Sequence, residues 1–135
     1  MESVRVGPLV EFHRAIEGLS AESLEPFLHP DVRYTVSGFR AVDRRYSVVS
    51  YWRRVFSRMA AIQITVTKQI QDGDIIISSQ TYCCAFLGRS AVSVESMAVY
   101  ELNDGLIRLW GDNIGDGSVE PEIRAILSRL RDDRW

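Results

Sequence analysis

The chain has 135 residues, of which 46% are hydrophobic and 25% are charged, and this composition is typical of one globular domain spanning residues 1–135. Its formal net charge is −2, and no block of lysine or arginine stands out, so we expect neither nucleic acid nor an anionic membrane as a partner. The N-terminus lacks a hydrophobic signal core, and no apolar run approaches the ~20 residues that span a bilayer. A cytoplasmic location is therefore the expectation.

The first part of the chain predicts two helices and a strand. Residues 8–18 carry apolar side chains at helical spacing. Ser20 is a good N-cap for a short second helix, which His29-Pro30 closes. Residues 31–37 alternate between apolar and polar side chains, which predicts a strand with Tyr34 on its apolar face.

The middle of the chain predicts a loop followed by a third helix. Residues 38–46 carry four charges among few apolar side chains and are interpreted as a loop. Ser47 then caps an amphipathic helix, because apolar residues from Val48 to Met59 recur at i, i+3, i+4, i+7, i+8 and i+11. Its aromatic residues, which include Trp52, are expected in the core.

Four long strands and a last helix are predicted in the second half of the chain. Turn signals separate the strands, which favours an antiparallel meander. Their β-branched residues lie on both faces of the sheet, so we expect the helices to cover one face and a second subunit of a homodimer to cover the outer face. The tail is interpreted as a solvated end, with Trp135 a candidate contact to a partner. The predicted strands are 62–71, 74–87, 91–102 and 106–115; the apolar stripe of the helix is Ile123, Ile126, Leu127 and Leu130, and the tail is 131–135.

The last strand carries a carboxylate in an apolar setting. Side chains of a strand alternate between faces, so Asp112 shares a face with Trp110, and the same parity places Leu106, Arg108 and Ile114 there. A carboxylate in that setting needs hydrogen bonds or has a raised pKa, because burying an unpaired charge is prohibitive. Two interpretations stay open: a structural aspartate held by backbone donors, and a catalytic acid or base.

Metal and cofactor sites are not expected. Cys83 and Cys84 are adjacent in a strand, so their side chains point to opposite faces and are interpreted as reduced thiols. His13 and His29 lie in different segments, and no HxxxH or CxxC spacing occurs. His13 is interpreted as a solvated or hydrogen-bonded histidine rather than a pocket ligand.

This order of elements resembles the α+β cone of the nuclear transport factor 2-like superfamily. Such a fold, a cystatin-like α+β barrel, is a curved antiparallel sheet wrapped around a pocket that N-terminal helices close. Residues 97–112, Met-Ala-Val-Tyr-Glu-Leu-Asn-Asp-Gly-Leu-Ile-Arg-Leu-Trp-Gly-Asp, are similar to a stretch of limonene-1,2-epoxide hydrolase, and Asp112 falls at the catalytic aspartate. SnoaL-type polyketide cyclases also use an aspartate near the end of this strand. The resemblance therefore implies a proton-transfer role for Asp112.

The sequence departs from the epoxide hydrolase pattern at three positions. Those enzymes have an Arg-x-Asp pair in the strand that corresponds to 74–87, where this chain has Gln80 and Tyr82. They have a Tyr-x-Asn pair in the first strand; Tyr34 matches the tyrosine, and Val36 stands at the asparagine. The alignment therefore leaves a cavity with a single carboxylate.

The function that follows is small-molecule catalysis by one pocket aspartate acting as a general acid or base. The substrate is expected to be an apolar polyketide- or terpenoid-like molecule, and the reaction cyclisation, isomerisation or epoxide opening. The alternative is a non-catalytic member of the fold that binds a hydrophobic ligand or dimerises. A ketosteroid-isomerase-like shuttle is less favoured, since the first strand ends Tyr34-Thr-Val-Ser, with no carboxylate for the usual base. The catalytic candidates are Asp112, Tyr34, Tyr82 and Gln80, and the substrate-binding candidates are Trp110, Cys84, Phe86, Ser96, Met59 and Trp52.

Overall fold

The computed structural model describes residues 7–115 and 121–132. Trp135, the rest of the tail after residue 132 and the turn at Gly117 therefore lie outside the described residues. The α-helices of the described ranges are α1 (Val10–Glu17), α2 (Arg45–Phe56) and α3 (Pro121–Asp132), and the 3-10 helices are Gly7–Leu9 and Ala21–Phe27. The strands are β1 (Leu28–Val36), β2 (Val42–Asp43), β3 (Met59–Asp72), β4 (Ile75–Phe86), β5 (Val92–Asn103) and β6 (Leu106–Ile114). Neither described range contains a helix with the length and hydrophobicity that crossing a membrane requires.

The six strands form one curved, unclosed sheet in the order β2-β1-β6-β5-β4-β3. Strands β3 to β6 form the antiparallel meander that the turn signals predict. Strand β1 adds to the meander in parallel to β6, and β2 pairs with β1 in the antiparallel sense. The predicted α+β class is thus confirmed. Strand β6 lies between β1 and β5 and is an interior strand along most of its length.

Aromatic side chains fill the space between the helices and the concave face of the sheet. The indoles of Trp110 and Trp52 stack with their centroids 5.3 Å apart and their planes 5° apart. The Tyr34 ring lies 4.3 Å from Trp110, and Phe12 of α1 meets Trp110 edge-on at 5.0 Å. Trp110 therefore anchors β6 to β1, α1 and α2 two residues before Asp112.

Three predicted boundaries are wrong. Helix α2 begins at Arg45, two residues before the predicted cap, and ends at Phe56. Met59 is not helical, because it opens β3. His29-Pro30 does not end a helix but lies in β1, in a stretch where the register against β6 shifts. A proline is tolerated there because its missing N–H removes no ladder hydrogen bond. The predicted loop 38–46 also contains β2 and the start of α2.

A bulge in β6 changes which residues before Trp110 face the core, so part of the predicted face assignment is wrong. Glu101 pairs with Leu109 and Leu102 pairs with Ile107, which leaves Arg108 as an extra residue. An extra residue reverses the alternation of faces before it. Ile107 is accordingly buried and Arg108 is exposed, opposite to the prediction, whereas Trp110 and Asp112 face inward as expected.

The outer face of the sheet carries exposed apolar side chains. Ile77 of β4 and Met97 of β5 are exposed by 42% and 49%, and Ile75 is also exposed. The homodimer that covers this face stays a prediction.

The hairpin turn between β5 and β6 offers a test of local backbone strain. Asp104 and Gly105 have φ of +53° and +78°, and a Cβ added to Gly105 would meet nothing within 4 Å. Gly105→Ala is therefore expected to lower the free energy of unfolding by about 1 kcal/mol through backbone conformation alone. Gly18→Ala is the matched control, since Gly18 has φ of −77°. Urea denaturation measures both; an equal effect of the two variants would contradict the interpretation.

Candidate functional site

Asp112 projects from β6 into the concave side of the sheet. Its neighbours across the sheet are Val36 of β1 and Ala98 of β5, so its backbone is paired on both sides. The residue is 4% exposed and its side chain lines an apolar cavity of about 90 Å³. The inward direction follows from the alternation of side chains after the bulge at Arg108.

Two hydroxyl groups hold one oxygen of the Asp112 carboxylate. The Tyr82 phenol of β4 donates to Oδ1 at 2.8 Å, and the Ser96 hydroxyl of β5 donates to the same oxygen at 2.8 Å. Both hydroxyls reach the same oxygen, and the Trp110 indole also interacts favourably with the carboxylate, which lowers its pKa. The donors are side chains and not backbone N–H groups, and Oδ2 receives neither of the two hydroxyls.

Burial decides the protonation of Asp112. Loss of solvent raises the pKa of this carboxyl from 3.8 to about 6, although hydrogen bonds from Ser96 and Tyr82 and the charge of Arg131 pull it back. Burial and the Asp112 charge together hold the pKa of the Tyr82 phenol well above its ordinary value, so the phenol remains a donor. Near neutral pH the carboxyl can therefore both release and accept a proton.

Gln80 lies behind this pair and connects it to helix α1. Its Nε2 donates to the Tyr82 hydroxyl at 2.7 Å and to the Tyr100 hydroxyl at 3.1 Å. Tyr100 is in turn 3.2 Å from Nε2 of the buried His13. Because the amide nitrogen uses one N–H for each tyrosine, the Tyr82 hydroxyl donates its own proton onward to Asp112, while the direction of the bond between Tyr100 and His13 depends on the tautomer of the imidazole. This chain of hydrogen bonds positions the Tyr82 hydroxyl against Asp112.

The cavity collects most of the predicted site residues. Gln80, Ser96 and Trp110 are buried but do not line it; they support the residues that do. Burial raises the pKa of the Cys84 thiol to about 12, so this cysteine stays protonated and is a poor nucleophile. No group of three or more His, Cys, Asp or Glu side chains within the described ranges could hold a metal ion. The predicted residues that line the cavity are Tyr34, Trp52, Met59, Tyr82, Cys84, Phe86 and Asp112.

Arg131 is the charged residue among the described cavity-lining residues that the sequence interpretation missed. It was expected in a solvated tail, but it is 7% exposed and lines the cavity with Asp112. The reason is helical geometry: Ile123, Leu127 and Arg131 are spaced i, i+4 and i+8, and all three face the cavity from α3. The apolar stripe of this helix, continued by one turn, was the signal that could have found it.

Comparison with known proteins identifies the fold and the family of this chain. The structure is similar to an LEH-like epoxide hydrolase of M. tuberculosis, with a TM-score of 0.75 and 19% identity, covering 93% of this chain and 94% of the other. It is equally similar (TM-score 0.75, 17% identity, 95% and 97% covered) to a protein of ketosteroid isomerase-like fold from Catenulispora acidiphila DSM 44928 in complex with trimethylamine. A protein of Jannaschia sp. CCS1, provisionally described as a SnoaL-like polyketide cyclase, matches with a TM-score of 0.68 and 14% identity over 94% and 91% of the chains.

At these identities the structural likeness establishes the fold, which is the predicted nuclear transport factor 2-like one. Comparison of the sequence with curated proteins gives no match. The family model of the SnoaL-like domain, however, matches residues 9–110, which is more than half of the 135 residues. The chain therefore belongs to the SnoaL-like domain family.

Proposed function

We propose that this protein is a small-molecule enzyme in which Asp112 transfers a proton to or from an apolar polyketide- or terpenoid-like compound. One observation carries the proposal: a buried carboxylate lines an apolar cavity, and the two hydroxyls that hold it both bind the same oxygen, Oδ1. Its pKa of about 6 suits proton transfer near neutral pH. The relatives of known fold include enzyme-like proteins, which agrees with catalysis.

Enolate chemistry fits this site best. Oδ2 of ionised Asp112 takes a proton from the carbon next to a substrate carbonyl, and the electron pair of the broken C–H bond moves to the carbonyl oxygen. The buried Tyr34 phenol, which burial and the Asp112 charge keep protonated by raising its pKa, is available to donate to that oxygen. Return of the proton from Asp112 to another carbon completes an isomerisation. In a cyclisation the enolate carbon attacks a second carbonyl, whose oxygen takes up the electron pair and receives the proton from Asp112.

Epoxide opening is supported less well. It requires a base for the attacking water and an acid for the epoxide oxygen. Asp112 is the only carboxylate among the described residues that line the cavity, and Gln80 and Tyr82 stand where the epoxide hydrolase pattern has its arginine and second aspartate. One carboxylate with neutral hydroxyl donors supports deprotonation of carbon better than this two-carboxylate reaction.

Deuterium exchange into 2-tetralone, an apolar ketone with acidic C–H groups, tests the proposal. Wild-type protein in D₂O is expected to accelerate the exchange, followed by NMR, with a rate that rises as pH passes through about 6 and Asp112 ionises. Asp112→Asn is expected to reduce the protein-dependent rate by roughly 10²–10⁴-fold, the usual contribution of a general base. Asp104→Asn, at the exposed hairpin turn, is the matched control. Equal exchange by wild type and Asp112→Asn would refute catalysis by Asp112 and favour the non-catalytic binding module.

A further inference from the structure

Arg131 is a buried cation with which no described Asp or Glu forms an ion pair. Its charge nevertheless lowers the pKa of Asp112. One nitrogen of the guanidinium, Nη2, is buried and has no hydrogen-bond partner among the described residues. A buried charged donor that lacks an acceptor is costly to the fold. The position therefore indicates an acceptor that binds from the cavity.

The rest of the guanidinium is held firmly. Nε donates to the Arg40 carbonyl at 3.0 Å, Nη1 donates to the Tyr51 hydroxyl, and Arg40 donates back to the Arg131 carbonyl at 3.1 Å. The guanidinium carbon also lies 4.4 Å from the centre of the Tyr51 ring and 4.7 Å from that of Phe39, distances at which aromatic faces attract a cation. These contacts fix the orientation of Nη2 before any ligand arrives.

The placement of Arg131 relative to Asp112 suits one substrate class. Both residues line the same cavity, yet no ion pair joins them, so each can contact a different part of one molecule. The Tyr34 ring lies between the two charged groups, with its centre 5.4 Å from the Arg131 guanidinium. Burial and the Asp112 charge raise the pKa of its phenol, whereas the charge of Arg131 and a hydrogen bond with it lower that pKa. When Asp112 removes a proton from a C–H bond, negative charge develops on the substrate oxygen, and the Arg131 guanidinium would attract that charge.

We propose that Arg131 is a substrate-binding residue that selects apolar molecules carrying an anionic oxygen, such as a phenolate, an enolate or a carboxylate. The inference rests on the proposed function, since it assigns the same cavity to a small molecule. It narrows the substrate class from apolar compounds in general to apolar acids and enols. Planar guanidinium groups bind such oxygens through directed N–H donors, which an ammonium group reproduces less well.

Binding of two matched probes tests this proposal. 4-Nitrophenolate and nitrobenzene share an apolar ring and differ in the anionic oxygen, and their affinities are measured at pH 8 by calorimetry. Wild type is expected to bind the phenolate roughly ten- to a hundredfold more tightly, the ratio that one charge-assisted hydrogen bond provides. Arg131→Met is expected to bring the ratio close to one, since the charge-assisted hydrogen bond to the phenolate oxygen is lost.

Two further variants separate binding from a purely structural role. Arg131→Lys keeps the charge and is expected to retain part of the preference for the phenolate. Arg129→Met removes an exposed arginine of the same helix and is expected to keep the full wild-type ratio. A wild-type ratio near one, or an Arg131→Met variant that is folded by circular dichroism and keeps the wild-type ratio, would overturn the proposal. Failure of Asp112→Asn to slow deuterium exchange would refute the proposed catalysis and leave the phenolate preference standing, so the two failures are distinguishable.

Discussion

The Asp112→Asn variant is expected to gain stability relative to wild type as the pH rises from 4 to 8. The pKa of Asp112 is about 6 in the folded protein, above the ordinary value of 3.8 that represents the unfolded chain. The stabilisation by the protonated carboxyl is therefore complete below pH 3.8 and is lost as pH rises through 6. Each pKa unit corresponds to about 1.36 kcal/mol, so the difference in the free energy of unfolding between variant and wild type should change by roughly 2–3 kcal/mol from pH 4 to pH 8.

Urea denaturation at several pH values measures this shift. Asparagine imitates the neutral carboxyl, keeping an oxygen that accepts from Tyr82 and Ser96 but adding an N–H pair that needs an acceptor. The absolute stability of the variant therefore depends on that new donor, whereas the pH dependence of the difference reports the carboxyl alone. Asp104→Asn, at the exposed turn, is the matched control. A difference independent of pH would mean that Asp112 has an ordinary pKa.

Trp110→Ala is expected to lower the free energy of unfolding by roughly 3–5 kcal/mol, which is the usual cost of deleting a fully buried aromatic side chain. Trp110 is 0% exposed and contacts the rings of Phe12, Tyr34 and Trp52. These contacts join α1, β1 and α2 to β6, so the surrounding rings cannot all collapse into the space that the indole leaves.

The matched control for this prediction is Tyr46→Ala. Tyr46 is also aromatic, lies on α2 and is 74% exposed, so its removal is expected to change the free energy of unfolding by less than about 0.5 kcal/mol. Thermal and urea denaturation would compare the two variants. A loss below 1 kcal/mol for Trp110→Ala would show that the aromatic cluster repacks and does not fix β6.

Much of the fold could be predicted because local signals determine it. Turn residues such as Asp104-Gly105 define the meander, and the alternation of faces places Tyr82 and Asp112 inward. Boundaries depend on longer-range pairing, which the sequence shows only indirectly. Met59 continues a helical apolar pattern but is taken into β3, where it pairs with Phe86. Tertiary pairing here decides against the local helical pattern.

The site was harder to predict than the fold. The cavity position of Asp112 followed from resemblance and parity, but its hydrogen bonds depend on which residues of three strands meet. Gln80 could be placed on the inner face, yet its role behind Tyr82 depends on the Tyr100 hydroxyl from the next strand. Arg131 was missed because a charged residue near the chain end is usually solvated, whereas here aromatic rings and hydrogen bonds to Arg40 and Tyr51 compensate for its burial.

The interior position of β6 has a consequence for how members of this fold could change their chemistry. Asp112 is fixed by backbone pairing with two strands, whereas Tyr82 and Ser96 influence it only through their side-chain hydroxyls. Tyr82→Phe or Ser96→Ala would retune the acidity of the carboxyl without altering the ladder that supports it. The backbone of β6 thus holds Asp112 in place, and single substitutions on the neighbouring strands suffice to adapt the same fold to substrates of different acidity.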